Sequence, residues 1–410
     1  MGKGGCLGSL PGWAGAMGKG GCLGSLPGWE GATGKGGCLG SLPGWEGAMA
    51  LNCGIIGLPN VGKSTIFNAL VGGKAVVANF PFSTVEPNIG IAMVPDERLT
   101  RLTNIFTSRK TTPTSIEFRD IAGLVKGASE GEGLGNQFLG QVREADVLVH
   151  VVRCFQDPDV LHVVGPVNPE RDIGLIETEL ILSDLETVER RRDRLEKKVR
   201  AGDAAAVKEM PFLLSILEQL GKGEWLGLRN FSPEEQVWLR EYQLLTAKPV
   251  VFAANVGESQ EQDAAVGQAE AQAKSRGARL VKLSGRIEAE ISALESSERD
   301  EYLRELGMGE PGLVRLIRTA YELLGLITFF TAGETESRAW TVRKGTKAAP
   351  AAGKIHSDME RGFIRAEVYR YDDLIACGSE AAVKEKGLFR LEGRDYVIKD
   401  GDVMFFRFNV

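Results

Sequence analysis

From Met49 onward, short runs of consecutive apolar residues alternate with longer stretches whose apolar positions recur every three or four residues. Cys53–Ile56, Ser115–Arg119, Val147–Val152, Val250–Ala254 and Arg279–Leu283 are mostly continuous apolar runs, which predicts strands of a parallel sheet covered on both faces. Ser64–Leu70, Gly135–Glu144 and Gly312–Leu324 read as helices on those faces. Strand and helix in alternation predict a doubly wound α/β fold, with ligand chemistry at the strand ends. Asn168-Pro169 then opens a helical section with Ile173, Ile176, Leu180 and Val188 at roughly helical spacing. Later, Ser232-Pro233-Glu234-Glu235 supplies a cap, a first-turn proline and a capping-box glutamate for another helix. After Thr328 the pattern changes to a section of short strands, Ala339–Arg343, Ile364–Val368, Tyr396–Ile398 and Val403–Phe408 being the clearest.

The first segment follows different rules. Met1–Ala16, Met17–Ala32 and Thr33–Ala48 are near-identical copies of a unit built on Gly-Lys-Gly-Gly-Cys-Leu-Gly-Ser-Leu-Pro-Gly-Trp. Such a unit carries too few apolar side chains to offset the entropy of ordering it, so residues 1–48 are expected to be a flexible leader, with Met49 an alternative initiator. The repeated Gly-Lys pairs are not phosphate loops, because Gly rather than Ser or Thr follows each Lys. Met1-Gly2 does not complete an acylation signal, because Cys6 stands where Ser or Thr is needed.

With 410 residues the chain has room for two or three domains, and 43% hydrophobic residues suffice for their cores. A net charge of −6 gives no global attraction to nucleic acid, so any RNA contact requires a local basic patch. No apolar stretch reaches membrane-spanning length and no signal peptide is evident, so a cytoplasmic location and no membrane partner are expected. Cys53, Cys154 and Cys377 lie far apart in or beside apolar runs and read as buried thiols.

Chemistry enters at the end of the first predicted strand. Gly57 to Ser64 reads Gly-Leu-Pro-Asn-Val-Gly-Lys-Ser, a complete G-x-x-x-x-G-K-[ST] phosphate loop. The glycines let backbone N–H groups turn inward on a polyphosphate, and the following helix points its positive end at the same anion. Lys63 is expected to reach the β- and γ-phosphates, and the Ser64 hydroxyl to hold Mg2+. Asp120-Ile121-Ala122-Gly123, directly after a strand, has the D-x-x-G form of a switch: Asp120 would meet the metal through water and the Gly123 N–H would bond the γ-phosphate. Between these motifs, Thr84 is the best candidate for a second magnesium hydroxyl, with Ser83 its nearest rival. Leu124 stands where related enzymes place a Gln that orients the attacking water, so slow basal turnover is expected. The Gly-rich stretch 127–135 offers the backbone freedom to remodel that loop. His150, inside an apolar run, is either a replacement for the missing Gln in catalysis or a histidine buried in the sheet.

Base choice turns on Asn255-Val256-Gly257-Glu258, after the Val250–Ala254 strand. Guanine-specific relatives carry N-K-x-D there, whose Asp accepts from guanine N1–H and N2–H. Here Val replaces the Lys stem and Glu displaces the carboxylate by a methylene, which should weaken guanine preference. ATP, with weaker GTP binding, is the expected ligand. Ser284-Gly285-Arg286 occupies the place of a base-contacting loop.

Together these motifs resemble the YchF/Obg-like ATPase family, a branch of the translation-factor-related P-loop proteins, over nearly all of Met49–Val410. The most specific stretches are Gly57–Thr65, Asn79–Asn88, Asp120–Asn136, Thr246–Glu258 and Ala339–Val410. The resemblance implies a doubly wound P-loop NTPase domain (49–168 and 246–328), an inserted helical, coiled-coil-like arm (169–245) and a C-terminal β-grasp TGS domain (329–410). It further implies an ATP site in which Asn60, Val61, Gly62, Lys63, Ser64 and Thr65 embrace the phosphates. Ser64 and Thr84 would approach Mg2+, and Asn255 and Val256 would complete the nucleotide site, with Val256 against adenine. The implied partner is the ribosome or its RNA. In the arm, Arg190, Arg191, Arg192, Arg194, Lys197, Lys198 and Arg200 form either an RNA-facing patch or, with Glu189, Asp193 and Glu196 among them, a solvated face. In the TGS-like section, Arg343, Lys344, Lys347, Lys354, Arg361 and Arg365 suit phosphate contacts or an ordinary charged surface. The functional expectation is a Mg2+-dependent, slow ATPase acting as a conformational switch. Alternatives are a nucleotide-gated ribosome- or RNA-binding protein reset by hydrolysis, and a GTP-using translation GTPase.

Overall fold

The computed structural model describes residues 52–72, 88–121, 134–257 and 263–409. The leader, Ser83, Thr84, Gly123, Leu124 and Glu258 lie outside the described residues. The chain begins with strands β1 (Asn52–Ile56), β2 (Asn88–Met93), β3 (Lys110–Thr112), β4 (Ser115–Asp120), β5 (Val147–Arg153), β6 (Val250–Asn255) and β7 (Arg279–Leu283). Among these run helices α1 (Lys63–Val71), α2 (Glu97–Phe106) and α3 (Leu134–Glu144). One sheet has the order β2-β4-β1-β5-β6-β7. Its strands are parallel except β2, which runs antiparallel to β4 at the edge. The predicted apolar runs all become strands, and β1, β5 and β6 are buried at every residue, as helices on both faces demand. Cys53, Phe118, Val149, Phe252 and Leu316 join one core. Burying each large side chain of this kind contributes roughly 1.5–3 kcal/mol. The parallel strands all point their C-terminal ends the same way, so the segments that follow β1, β4, β5, β6 and β7 emerge along one rim.

The insertion consists of α4 (Pro169–Arg200), α5 (Ala204–Gly221) and α6 (Pro233–Tyr242). Asn168 caps α4 by accepting from the Arg171 N–H at 3.0 Å, Pro169 fills the first turn, and the 32 residues extend about 48 Å. Asp203 caps α5, which packs on α4 through Val188, Leu195, Phe212, Leu213 and Ile216. Ser232 and Glu235 form the expected capping box on α6. At the arm's root the fully buried Asp184 carboxylate accepts from the Leu245 and Thr246 N–H groups and from the Thr246 hydroxyl at 2.7–2.9 Å. Much of the arm's basic charge is paired: Arg190 with Glu186, Arg191 with Glu209, Arg192 with Asp193 and Arg200 with Glu196. Arg194, Lys197 and Lys198 are exposed and have no ion pair among the described residues.

After β6 come α7 (Asp263–Ser275), α8 (Gly285–Ala293), α9 (Ser296–Glu305) and α10 (Gly312–Leu323). Then β8 (Leu326–Thr331), β9 (Glu336–Arg343), β10 (Phe363–Arg370), β11 (Arg390–Glu392) and β12 (Asp402–Phe408) form a second sheet, in the order β11-β10-β12-β8-β9-β3. This mixed sheet, with helix α11 (Ala348–Ile355) packed over Phe329 and Phe406, has the β-grasp form. The predicted strand Tyr396–Ile398 shrinks to a single antiparallel bridge between Val397 and Lys347, flanked by backbone bonds from the Ala348 N–H to Tyr396 O at 2.8 Å and from the Ile398 N–H to Thr346 O at 3.0 Å.

The sixth strand of this sheet comes from the other end of the chain. β3 pairs in parallel with β9, Lys110 beside Glu336 and Thr112 beside Arg338. Leu99 and Leu102 of α2 enter a cluster with Phe330, Ala339 and Tyr369. Arg98 bonds Asp400 at 2.6 Å and lies 5.1 Å from the Phe330 ring centre. Residues 97–112, which the sequence reading placed inside the nucleotide-binding segment, therefore pack on the C-terminal sheet.

Candidate functional site

The buried strand β1 delivers the chain to a loop with glycines at its corners. At Gly57, φ is +153° and a Cβ would stand 2.6 Å from the Val151 carbonyl. At Gly62, φ is +97° and a Cβ would collide with Asn255 Nδ2. Both positions therefore require glycine. Helix α1 starts at Lys63 with no side-chain cap, so its first N–H groups remain available to an anion. Lys63 is buried and its ammonium donates to the Leu58 carbonyl at 2.9 Å, folding the side chain over the loop. Burial lowers its pKa, and the charge of Asp120 opposes that shift.

Ser64 is exposed, and its hydroxyl donates to Asp120 Oδ2 at 2.7 Å. Burial raises the Asp120 pKa, while the Ser64 bond and the Lys63 charge pull it back. The other carboxylate oxygen, Oδ1, is buried with no hydrogen-bond partner among the described residues. A hydroxyl beside an under-satisfied carboxylate is a hard oxygen donor set, and these residues fit Mg2+.

Beside Ser64 lies a cavity of about 640 Å³, lined by Asn60, residues 62–65, residues 155–157 with Val160, residues 255–257, and residues 284–286. That volume is within the range of small-ligand sites. The fold thus gathers Asn60, Gly62, Lys63, Ser64, Thr65, Asn255 and Val256, far apart in sequence, around one cavity. Val61 is buried beneath the loop and presents its carbonyl, not its side chain. Asn255 also holds the loops around it, since its Nδ2 donates to Val61 O and its Oδ1 accepts from the Gly285 N–H, both at 2.9 Å. One buried amide thus clasps the phosphate loop to the loop after β7.

His150 does not belong to this group. It sits within β5, level with Ile56 and Phe252, 3% exposed, its ring centre 5.2 Å from that of Phe252. Burial first, then the positive charges of Arg276 and Lys63, push its pKa down to about 3, so the ring is neutral. The sheet encloses it away from the cavity lining, and of the two sequence readings the geometry favours the buried core histidine over the catalytic one. What the sequence reading missed is the segment after β5, Phe155–Asp157 with Val160, and the buried Arg153 behind it. The available signal was an arginine ending a strand that is apolar but for His150.

A glycine-cornered loop, a buried lysine and a hydroxyl–carboxylate pair at the rim of a parallel sheet define a P-loop nucleoside triphosphatase domain, here carrying a helical arm and a β-grasp module. Residues 52–191 match a family model described as a 50S ribosome-binding GTPase, and residues 326–409 match the C-terminal model of the YchF GTPases, described as a protein of unknown function. The chain is 50% identical over 366 residues to the ribosome-binding ATPase YchF of Bacillus subtilis, covering 88% of this chain and 100% of that protein. The protein of the same name from Escherichia coli O157:H7 is 50% identical over 363 residues, with the same coverage. Among solved structures, the Schizosaccharomyces pombe YchF GTPase is 34% identical with a TM-score of 0.77, over 87% of this chain and 97% of that one. The chain belongs to the YchF family.

Proposed function

We propose that this chain binds ATP with Mg2+ at the Gly57–Ser64 loop and hydrolyses it slowly, as a switch that associates with the ribosome. The observation that carries this reading is the Ser64–Asp120 pair at 2.7 Å, with Asp120 Oδ1 left without a partner among the described residues, beside the buried Lys63. Ser64 and Asp120, with Thr84, would hold Mg2+, which when bound neutralises charge on the β- and γ-phosphates. Lys63 and the free N–H groups at the start of α1 stabilise the same charge from the protein side. Leu124 offers no group to orient water, so turnover without a partner is slow. The name borne by the bacterial relatives supports both the ATPase activity and the ribosome as partner. No described helix is long and apolar enough to cross a membrane, and association with ribosomes accords with a cytoplasmic location.

Adenine is favoured because Val256 lines the cavity where guanine-specific proteins place a lysine stem. The rival reading, GTP, is favoured by the name of the fission-yeast relative and of the family model for residues 52–191. Competitive titration of ATP against GTP with Mg2+ decides between them. Tighter ATP binding is expected; tighter GTP binding rejects the adenine assignment. Lys63→Ala should abolish either signal, and undiminished binding would overturn the site itself.

A further inference from the structure

Arg153 ends β5 with only 2% of its surface exposed, yet no carboxylate is bonded to it among the described residues. Its guanidinium donates instead to backbone carbonyls: Nε to Phe155 O at 3.1 Å, Nη1 to Asn60 O at 3.3 Å, and Nη2 to Asp157 O at 3.4 Å and Val160 O at 2.9 Å. Its Cζ also lies 4.4 Å from the centre of the Phe155 ring. Each of those carbonyls belongs to a residue that lines the nucleotide cavity.

Residues 154–168 contain neither helix nor strand, so no ladder of backbone bonds holds them in shape. Over residues 155–160 a planar fork of donors on a buried arginine supplies that restraint, binding three of their carbonyls in one fixed arrangement, while Asn60 and Arg171 bond the carbonyls of Leu161, Val164 and Pro166. The wall so shaped has a definite chemistry. Phe155 and Val160 are apolar and Asp157 is anionic, which disfavours a polyphosphate and suits an uncharged base and ribose. Burial lowers the Arg153 pKa, and the charges of Asp157 and Asp172 oppose that shift. The guanidinium is held mainly by carbonyl dipoles.

We propose that Arg153 is a positioning residue that shapes the Phe155–Val160 wall for the nucleoside part of the ligand without touching it. The proposal rests on the nucleotide-binding reading of this cavity. The test compares Mg-ATP with inorganic tripolyphosphate, which engages the phosphate loop alone, on the full chain and its Arg153→Met and Arg153→Lys variants. Losing the carbonyl restraints should weaken ATP binding by about tenfold or more in Arg153→Met. Tripolyphosphate binding should fall by clearly less than ATP binding, because of the four carbonyls only that of Asn60, at 3.3 Å, belongs to the phosphate loop. Arg153→Lys keeps the charge but not the fork, so an intermediate loss for ATP is expected, and it carries the same comparison if Arg153→Met does not fold. Equal losses for both ligands, or undiminished ATP affinity in a folded variant, would overturn the proposal. Lys63→Ala separates the two readings: if it leaves both ligands bound as before, the nucleotide site is misassigned, whatever Arg153 does.

Discussion

Cutting Asn255 back to alanine should be the most damaging small change at the site. The side chain makes two bonds, Nδ2 to Val61 O and Oδ1 from the Gly285 N–H, each at 2.9 Å. Asn255 is 5% exposed and Val61 1%, so water has little access to replace them. Each buried polar group left without a partner costs about 1–3 kcal/mol, so the pair accounts for about 2–6 kcal/mol. Asn255→Asp separates the two halves. It keeps the acceptor for Gly285 but loses the donor and turns a carboxylate oxygen toward the Val61 carbonyl, for a loss of about 1–3 kcal/mol or more. Gly62→Ala reaches the clasp from the other side, because its new Cβ would collide with Asn255 Nδ2 and sit at a φ of +97°. With Asn255 shortened, part of that collision disappears. The double variant Gly62→Ala/Asn255→Ala should therefore be less destabilised than the sum of the single ones, by about 0.5 kcal/mol or more. Urea unfolding followed by tryptophan fluorescence measures stability, and Mg-ATP titration measures the site. An Asn255→Ala protein within about 0.5 kcal/mol of the parent in stability, with unchanged affinity, would refute the clasp, as would a strictly additive cycle.

Two other consequences are measurable. The folded pKa of His150, about 3, lies below the ordinary value of 6.5, so above pH 6.5 the residue adds nothing to the pH dependence of stability. As pH falls from 6.5 toward 3 the unfolded chain takes up a proton that the folded chain refuses, removing about 1.4 kcal/mol per pH unit. Stability profiles should accordingly be flatter in His150→Gln than in the parent, with ATP turnover kept within a few-fold; parallel profiles, or abolished turnover in a folded variant, would contradict the core assignment. Leu102→Ala removes a fully buried side chain from the cluster with Phe330 and Tyr369, at a cost of about 2–5 kcal/mol. Hydrogen exchange should quicken in β9 as well as in α2, and protection lost in α2 alone would mean that the helix does not brace the C-terminal sheet.

How much of this was legible beforehand depends on the range over which each interaction acts. Continuous apolar runs announced β1, β5 and β6 because burial on both faces leaves no polar alternation to read. The Ser232–Glu235 box was equally plain, since both partners lie within one helical turn. β3 was invisible: Lys110-Thr111-Thr112 has no apolar residue, and it is a strand because the edge of β9 accepts it. β2 was obscured by Gly90, whose place in the strand is explained by Phe67 and Val71, packed where its Cβ would be. His150 and Arg153 show the same limit from opposite directions. Each is a polar residue in an apolar strand, and nothing local says that one faces Phe252 in the core while the other gathers carbonyls from two separate segments.

The missing information was the order of the strands. β5 lies between β1 and β6, and β7 flanks β6, with Arg153 level with Asn255 and Asn255 level with Leu283. Once that order is known, the loops after β1, β5, β6 and β7 must meet, and a polar side chain at the end of a central strand has unpaired backbone from neighbouring loops within reach. Asn255 and Arg153 are both such end residues, and both spend their hydrogen bonds on main-chain groups of adjoining loops. Motifs supplied the groups proposed to meet phosphate and metal. The residues that hold those motifs together belong to the sheet's topology, and they become recognisable only after the strands are placed.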